Sequence, residues 1–346
     1  MLSNQLALGQ FNNAISRSSL TLPYDQYFAS NFNNVTQSNF ATMNSWSIFT
    51  GTDSETGYAW AGKSATYPNG GTGDMSVILN GVTCLNDDIT VTGANYTSYC
   101  AISIASEAGP DGPDENVLTL DLLDAGAIAH AGVNSAFGAQ MWLMFTRIAS
   151  STSPLPADIE NLYVSYHMKK GTYLNTMAAG EDIIFEMKTG GYDGLYGGDQ
   201  RLAVAIVKPS SGSMYWRVKC DHSGNGSMTV TPYNTAWPGI STDPGFSYFK
   251  AENNSIAVPV NDWCKFELFL RRSRTDGCLM LAIDDQVAII FTGNTMGEYS
   301  NPIGRLSPHG IYSQNGIGTS KIARLNISNY PSVSSALYQQ IVNYLF

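Results

Sequence analysis

Short runs in which apolar and polar residues take turns limit the fold of this chain more than any other feature of its sequence. Between positions 214 and 220, the apolar Met214, Trp216, Val218 and Cys220 alternate with Tyr215, Arg217 and Lys219. A second run lies between positions 162 and 169. There, Leu162, Val164, Tyr166 and Met168 alternate with Tyr163, Ser165, His167 and Lys169. Successive side chains of a β-strand point to opposite faces, so each run predicts a strand with one apolar face and one polar, aromatic and basic face.

The stretch from Asp182 to Lys219 contains the first of these runs and begins with another. In that opening run Ile183, Phe185 and Met187 are expected on one face, with Glu186 and Lys188 on the other. Trp216 lies on the apolar side of its run, so we expect it in a core rather than against a ligand.

Strand-length runs recur along the chain between residues that favour turns. Further candidates lie at 46–49, 75–79, 89–92, 99–104, 117–123, 141–148, 228–232, 264–270, 279–283, 287–291 and 321–327. Many short strands with almost no helical periodicity predict an antiparallel β-sandwich. A chain of 346 residues has room for one large domain of this kind. We assign the sandwich to residues 46–330.

The two ends of the chain differ from the middle. Residues 1–45 carry only Arg17 and Asp25 as charges, which predicts an extended arm that either attaches to a partner or covers an edge of its own domain. After Pro331, apolar residues recur at steps of three and four, at Val333, Leu337, Ile341, Tyr344 and Leu345. This spacing predicts a helix of about three turns over 331–346, docked on the sandwich or on a partner.

Composition and charge narrow the expected partners. The net charge of -10 argues against neutralising a nucleic-acid backbone, and no apolar run is long enough to insert in a membrane. Only 13% of the residues are charged, as in extracellular or virion proteins, yet the amino terminus lacks the pattern of a signal peptide. A virion protein made in the host cytoplasm fits both observations, and a secreted protein whose leader has been removed is the alternative.

The residues that commonly bind metals or form disulfides show little organisation. The five cysteines are expected as reduced, buried thiols, with a bridge between Cys264 and Cys278 as the alternative. His130, His167, His222 and His309 lack the spacing of a metal site, so we predict no metal and no cofactor. In the loop 107–116, calcium ligation is a weak alternative to a solvated turn, and its ligands would be Asp111, Asp114 and Glu115.

Three segments resemble a known family. GGYDGLYGG at 190–198 is similar to the glycine-rich loop of the polysaccharide lyases that include alginate and glucuronan lyases of algal-virus and fungal type. Residues 262–291 resemble the late hairpin of these and other concanavalin-like jelly rolls, and residues 304–316 resemble the segment that follows it. The resemblance, which covers about residues 160–330, implies a concanavalin-like jelly roll with a ligand groove on its concave sheet.

The resemblance also implies roles for individual residues. If the chain were a lyase that cleaves a uronate polymer by β-elimination, the acid and base candidates would be His167, Tyr196, His309 and Tyr312. The candidates for binding an anionic ligand are Lys169, Lys188, Arg217 and Lys219. All of them can line one groove only if their strands belong to the same sheet.

This chain departs from the family in its loop and in its hairpin. Gly191, Tyr192 and Asp193 replace the Lys-Leu-Pro that precedes the Gly-Leu-Tyr, and Asp284 and Asp285 replace the usual Asp-Gly turn. We therefore predict a non-enzymatic virion protein that displays a carbohydrate-binding jelly roll for decoration or attachment to host glycans. It would meet other virion proteins, or copies of itself, through the arm and the helix. The lyase is the alternative, and a lectin-like protein that binds calcium is a third hypothesis.

Overall fold

The computed structural model describes residues 21–38, 46–56, 59–60, 81–86, 100–123, 137–144, 159–189, 200–222, 247–296, 303–313 and 317–346. In this part of the chain, two antiparallel sheets of eight and eleven strands pack against each other, with two short helices. The predicted antiparallel β-sandwich is confirmed. Within the described ranges, neither helix has the length and apolar character needed to cross a membrane.

We call the eight-stranded sheet sheet I and the other sheet II. Sheet I has the order β16 (Gln286–Gly293), β15 (Gly277–Ile283), β14 (Trp263–Arg271), β9 (Asn161–Lys170), β19 (Thr319–Ser328), β7 (Asp114–Leu122) and β6 (Cys100–Ala108), and β1 (Gln26–Ser30) also pairs with β19. The main run of sheet II is β13 (Ser247–Asn253), β12 (Tyr215–His222), β11 (Gln200–Lys208), β10 (Gly180–Thr189), β17 (Ile303–Ser307), β8 (Phe137–Met144), β5 (Gly81–Asn86), β3 (Trp46–Thr52) and β2 (Thr36–Ser38). In addition, β18 (Gly310–Ser313) lies between β10 and β8, and β4 (Ala59–Trp60) pairs with β3. The predicted runs 75–79, 89–92 and 228–232 lie outside the described residues.

The main core fills the space between the two sheets. In β12, Trp216, Val218 and Cys220 point inward and are fully buried, as their alternation predicts. From sheet I, Phe266 stacks on Tyr166 with their ring centroids 4.6 Å apart. Each buried side chain of this size contributes about 1.5–3 kcal/mol to folding. The inner faces of both sheets therefore supply most of the stability.

A β-bulge in β10 changes one face assignment. The pairing of β10 with β11 shifts between Ile183 and Phe185, so Ile184 is an extra residue in its strand. Phe185 joins the main core, whereas Ile183 packs outside it with Ala203 and Ala205. The prediction that Ile183 and Phe185 share a face is therefore wrong, because the bulge breaks the two-residue period.

Residues 21–38 are part of the sandwich. β1 pairs with β19 in sheet I, and β2 pairs with β3 in sheet II. The buried carboxylate of Asp53 accepts hydrogen bonds from the Ser30 hydroxyl at 2.9 Å and from the Asn31 amide at 2.7 Å, which anchors the link between these strands. The domain therefore begins before residue 46, and this segment covers its own sandwich rather than forming a free attachment arm. Residues 1–20 lie outside the described part of the chain.

The carboxy-terminal helix is shorter than predicted and packs on the outer face of sheet I. α1 (Tyr173–Thr176) follows β9, and α2 (Tyr338–Leu345) has eight residues because turns occupy the segment after Pro331. Ile341 and Val342 of α2 are buried against sheet I, whereas Val333 is 74% exposed and does not join the apolar face. Of the two docking alternatives, contact with the sandwich is the one observed.

Three of the cysteines are resolved in full. Cys264 and Cys278 are buried free thiols, so the reduced state is confirmed for them and the bridge between them is excluded. Cys220 is also buried. Cys84 lies in β5 and Cys100 in β6, and only the backbone of these two residues is described.

Candidate functional site

A network of charged side chains covers the outer face of sheet II, where four neighbouring strands lie side by side. We call this surface the charged face. Its members are Glu181, Glu186, Lys188, Arg201, Tyr215, Arg217, Lys219, Lys250 and Glu252. They come from β10, β11, β12 and β13, and the period of two that buries Trp216 turns Arg217 outward.

Small residues form the floor of the charged face. Ala203 lies in register between Glu186 and Lys219, and Ala205 lies between Ile183 and Arg217. Both alanines are fully buried, although they point away from the main core. Glu181 is paired with Val207 of β11, and its carboxylate reaches diagonally across β11 to Arg217 and Lys219 of β12.

Glu181 is the centre of the larger ion cluster. Its two carboxylate oxygens accept hydrogen bonds from Arg217 Nη1 and from Lys219 Nζ. Partial burial acts to raise the pKa of Glu181, but Lys219 and Arg217 outweigh burial and lower that pKa. The carboxylate is therefore held in its ionised form.

Arg217 is fixed on three sides. Besides Glu181, its Nε donates to Glu252 Oε1 at 2.8 Å, and its Nη2 donates to the Tyr215 hydroxyl at 2.8 Å. The guanidinium also lies 5.5 Å from the centroid of the Tyr215 ring. Burial works against the charge, but the hydrogen bonds to Glu181 and Glu252 outweigh it and raise the pKa of Arg217. This side chain is a preorganised cation with a defined orientation.

A second, smaller ion cluster lies beyond the alanine floor. Glu186 is almost fully buried, and its carboxylate lies 3.3 Å from Arg201 Nη1 and 3.6 Å from Lys188 Nζ. Across both clusters, the described cations are Lys188, Arg201, Arg217, Lys219 and Lys250, and the carboxylates are Glu181, Glu186 and Glu252. Among these described side chains the cations outnumber the carboxylates, although the whole chain is acidic.

The structure divides the predicted ligand-binding residues between two surfaces. Lys188, Arg217 and Lys219 lie together on the charged face of sheet II. Lys169 lies on β9 in sheet I, in register between Trp263 and Lys321. Because β9 belongs to the other sheet and Lys169 faces outward, the condition for one groove shared by all four residues is not met.

The predicted acid and base candidates are also separated. His167 is on the outer face of sheet I, and burial followed by the charges of Arg324 and Lys265 lowers its pKa. His309 lies in the break between β17 and β18 and is fully buried, with Nε2 3.0 Å from Ser320 Oγ. Tyr312 is in β18 and only its backbone is described, and Tyr196 lies outside the described residues. Neither histidine reaches the charged face.

Several members of the charged face were not identified from the sequence. Glu181 is displaced from the simple alternation by the bulge in β10. Lys250 and Glu252 lie on β13, for which no strand was predicted. The alternation of Lys250 with Glu252 around Ala251 was the available signal, but it spans too few residues to distinguish a strand from a loop.

The acidic loop before β7 contacts an arginine. Arg324 Nη1 lies 2.6 Å from Asp111 Oδ2, and Arg324 Nε lies 2.9 Å from Glu115 Oε2. Within the part of the chain that the structure describes, no three His, Cys, Asp or Glu side chains are grouped to hold a metal ion. Two of the three calcium-ligand candidates therefore have a protein cation as their partner.

Comparisons with known proteins identify distant structural likenesses. No family model matches the chain, and no curated protein matches it. An alginate lyase from Aplysia kurodai aligns with a TM-score of 0.39 at 9% identity, over 65% of this chain and 86% of that one. For an endo-1,3-beta-glucanase from Streptomyces sioyaensis the TM-score is 0.36 at 11% identity, over 90% and 99% of the two chains. The CBM2 module of the evolved Dit protein of Lactobacillus casei BL23 phage J-1 aligns with a TM-score of 0.31 at 15% identity, over 56% of this chain and 71% of that one. Likenesses at this level assign no function to the chain.

Proposed function

We propose that this chain is a carbohydrate-binding β-sandwich whose ligand lies across the charged face. The observation that carries the proposal is Arg217, held between Glu181 and Glu252 above a floor of alanines. Donors and acceptors that are fixed on the face of a sheet suit a ligand that is rich in hydroxyl groups. A bound sugar would meet side chains whose orientation is already set, so little conformational entropy would be lost on binding.

The charge of the same face favours an acidic glycan. Lys188, Arg201 and Lys250 add positive charge around the central pair of Arg217 and Lys219. Because each cation also contacts a carboxylate, a ligand carboxylate would share these cations rather than meet a bare charge. We therefore expect moderate affinity that weakens as salt is added.

Binding is better supported than β-elimination. In a lyase, the group that neutralises the uronate and the group that removes the C5 proton must meet at one sugar. Among the described residues, His167 lies on the opposite sheet from Arg217, and His309 is buried. Of the predicted acid and base candidates this leaves Tyr196 and Tyr312, whose side chains are not described, so the lyase alternative would depend on them or on Tyr215, whose hydroxyl lies 2.8 Å from Arg217 Nη2.

Isothermal titration calorimetry with uronate polymers and neutral glucans tests the binding proposal. We expect alginate or glucuronan to bind more tightly than a neutral glucan, and Arg217→Ala to weaken binding about tenfold or more. Arg271→Ala is the matched control, because Arg271 also lies between two carboxylates, Glu160 and Asp276, but on β14 of sheet I. Absence of binding to every polymer, or equal losses in both variants, would contradict the proposal.

The same mixtures distinguish binding from catalysis. β-Elimination creates unsaturated ends that absorb ultraviolet light, so absorbance followed over time detects a lyase directly. We expect no increase with any polymer. An increase that is lost in Arg217→Ala would instead support the lyase alternative.

We further propose that the domain works on a viral particle, for decoration or attachment to host glycans. The support is the composition of the chain, in which only 13% of the residues are charged. Sedimentation of the purified chain, alone and with particle proteins, tests this proposal. A chain that remains monomeric at every concentration and joins no assembly would argue against it.

A further inference from the structure

A lysine and an aspartate from opposite sheets meet in the interior of the sandwich. Lys170 ends β9 in sheet I, and Asp182 lies near the start of β10 in sheet II. Lys170 Nζ is 3.2 Å from Asp182 Oδ2, and the exposed fractions of the two side chains are 1% and 0%. Twelve positions separate these residues in the sequence, and α1 lies in the connection between them. An amine and a carboxyl group are thus held in contact where water has no access.

Lys170 Nζ and Asp182 Oδ2 each form a further hydrogen bond. Tyr173 of α1 donates its hydroxyl hydrogen to Asp182 Oδ2 at 2.6 Å. Lys170 Nζ donates to the carbonyl oxygen of Gly310. Burial lowers the pKa of Lys170, although the charge of Asp182 opposes this effect. The neutral amine, which is the nucleophilic form, is therefore more accessible than it would be in water.

A buried histidine is the sequence neighbour of the glycine whose carbonyl accepts the hydrogen bond from Lys170. His309 precedes Gly310, and its Nε2 is 3.0 Å from Ser320 Oγ. Its Nδ1 is buried and has no hydrogen-bond partner among the described residues. Burial and the charge of Lys170 hold the pKa of His309 well below its ordinary value, so the ring is neutral near pH 7. With Nε2 as the donor to Ser320, Nδ1 presents a lone pair that can accept a proton.

We propose that Lys170 and Asp182 condense into an intramolecular isopeptide bond that joins the two sheets. The Lys170 amine attacks Asp182 Cγ, a new N–C bond forms, one C–O bond breaks, and that oxygen leaves as water. An ammonium and a carboxylate thus give an amide and one water molecule, with no oxidant or other reactant. Tyr173 polarises the carboxyl oxygen, and His309 accepts a proton from the amine and returns it to the leaving oxygen.

The surroundings also suit the product of this reaction. The amide N–H would keep the Gly310 carbonyl as its acceptor, and the amide oxygen would keep the Tyr173 hydroxyl as its donor. Burying an ion pair requires both groups to lose hydration, whereas a hydrogen-bonded amide carries no net charge to bury. The same neighbours therefore satisfy the hydrogen bonds of the amide, and burying this amide costs less electrostatic free energy than burying the ion pair.

Intact-mass spectrometry of the denatured chain decides whether the bond forms. We expect a mass below that of the sequence by one water molecule, and no such loss in Lys170→Met or Asp182→Ala. Tyr173→Phe should give a mixture of linked and unlinked chains. A wild-type mass equal to that of the sequence overturns the proposal, whether or not any variant folds.

Tryptic mapping locates the lost water. The linked Lys170 resists trypsin, so the expected product is a peptide of residues 170–188 with a closed ring between its first residue and Asp182. An unlinked chain gives the peptide 171–188 instead. Lys265 and Glu267 are the matched control pair. They are also 3.2 Å apart, but the lysine is partly exposed, and we expect no loss of water from the peptides that contain them. A water loss that maps elsewhere also overturns the proposal.

Discussion

Arg217 shows how single residues set the character of the charged face. Its orientation depends on the carboxylates of Glu181 and Glu252, and Glu181 reaches it across β11, where Arg217 is paired with the small residue Ala205. The character of the charged face is therefore set by a few residues on neighbouring strands.

Glu181 makes stability depend on pH at the residue scale. Its pKa is lowered in the folded chain, so the stabilisation is complete above pH 4.5, the ordinary value, and is lost as the pH falls through the folded value. We expect Glu181→Gln to reduce the free energy of unfolding by about 1 kcal/mol or less at pH 7, since this pair is partly exposed. The difference from wild type should disappear in acid.

Urea denaturation at a series of pH values measures this difference. Glu160→Gln is the control, because Glu160 is 62% exposed and lies 3.5 Å from Arg271 in a comparable pair on sheet I. We expect Glu160→Gln to change the free energy of unfolding less than Glu181→Gln does at pH 7. A difference for Glu181→Gln that grows as the pH falls would contradict the prediction.

At the scale of elements, helix α2 closes the outer face of sheet I. Leu337, Ile341 and Val342 bury Phe269 and Met280 of the sheet, so a third layer covers part of the sandwich. The amino-terminal segment joins this layer, because the Leu22 amide donates to the Tyr338 hydroxyl at 3.2 Å. Both ends of the described chain thus protect an apolar surface that would otherwise promote aggregation.

Loss of one apolar contact in this layer should be measurable. We expect Ile341→Ala to reduce the free energy of unfolding by about 2–5 kcal/mol, because it leaves a cavity beneath α2. Val333→Ala, at a residue that is 74% exposed, should change it by about 0.5 kcal/mol or less. Labelling of the buried Cys278 thiol by a thiol reagent should be faster only in Ile341→Ala. Equal labelling rates would mean that α2 does not protect this face.

The loop before β7 is a second element with a clear test. Because Arg324 contacts both Asp111 and Glu115, we expect a chelator to leave the midpoint of thermal unfolding unchanged. Addition of calcium should also have no effect. A lower midpoint after chelation, restored by calcium but not by magnesium, would support the calcium-binding hypothesis.

At the scale of the whole molecule, two sheets present different surfaces. Sheet II exposes the charged face, and sheet I carries α2 at one side and a group of ion pairs around Lys265, Lys321 and Arg324 at the other. Lys170 and Asp182 meet between these layers. A covalent link there would resist separation of the sheets, which is a useful property for a domain exposed on a particle.

The alternation of residues was sufficient to predict strands, the inward position of Trp216 and the grouping of Arg217 with Lys219. These features are local, because the period of two is written in neighbouring residues. The bulge at Ile184 was not predictable in the same way, since an extra residue shows itself only against a partner strand. For that reason, Ile183 was assigned to the wrong face of its strand, and Glu181 was not identified as a member of the charged face.

The sequence by itself determined the class of fold, the strand faces and an apolar segment at the carboxy terminus. Only the tertiary structure decided which sheet each strand joins, and with it the separation of Lys169 from Lys188 and the burial of His309. The physical reason is that strand pairing joins residues that are far apart in the chain, such as Ser320 with Lys170. An alternating pattern says which way a side chain points relative to its own strand, and the packing of the two sheets decides what it meets.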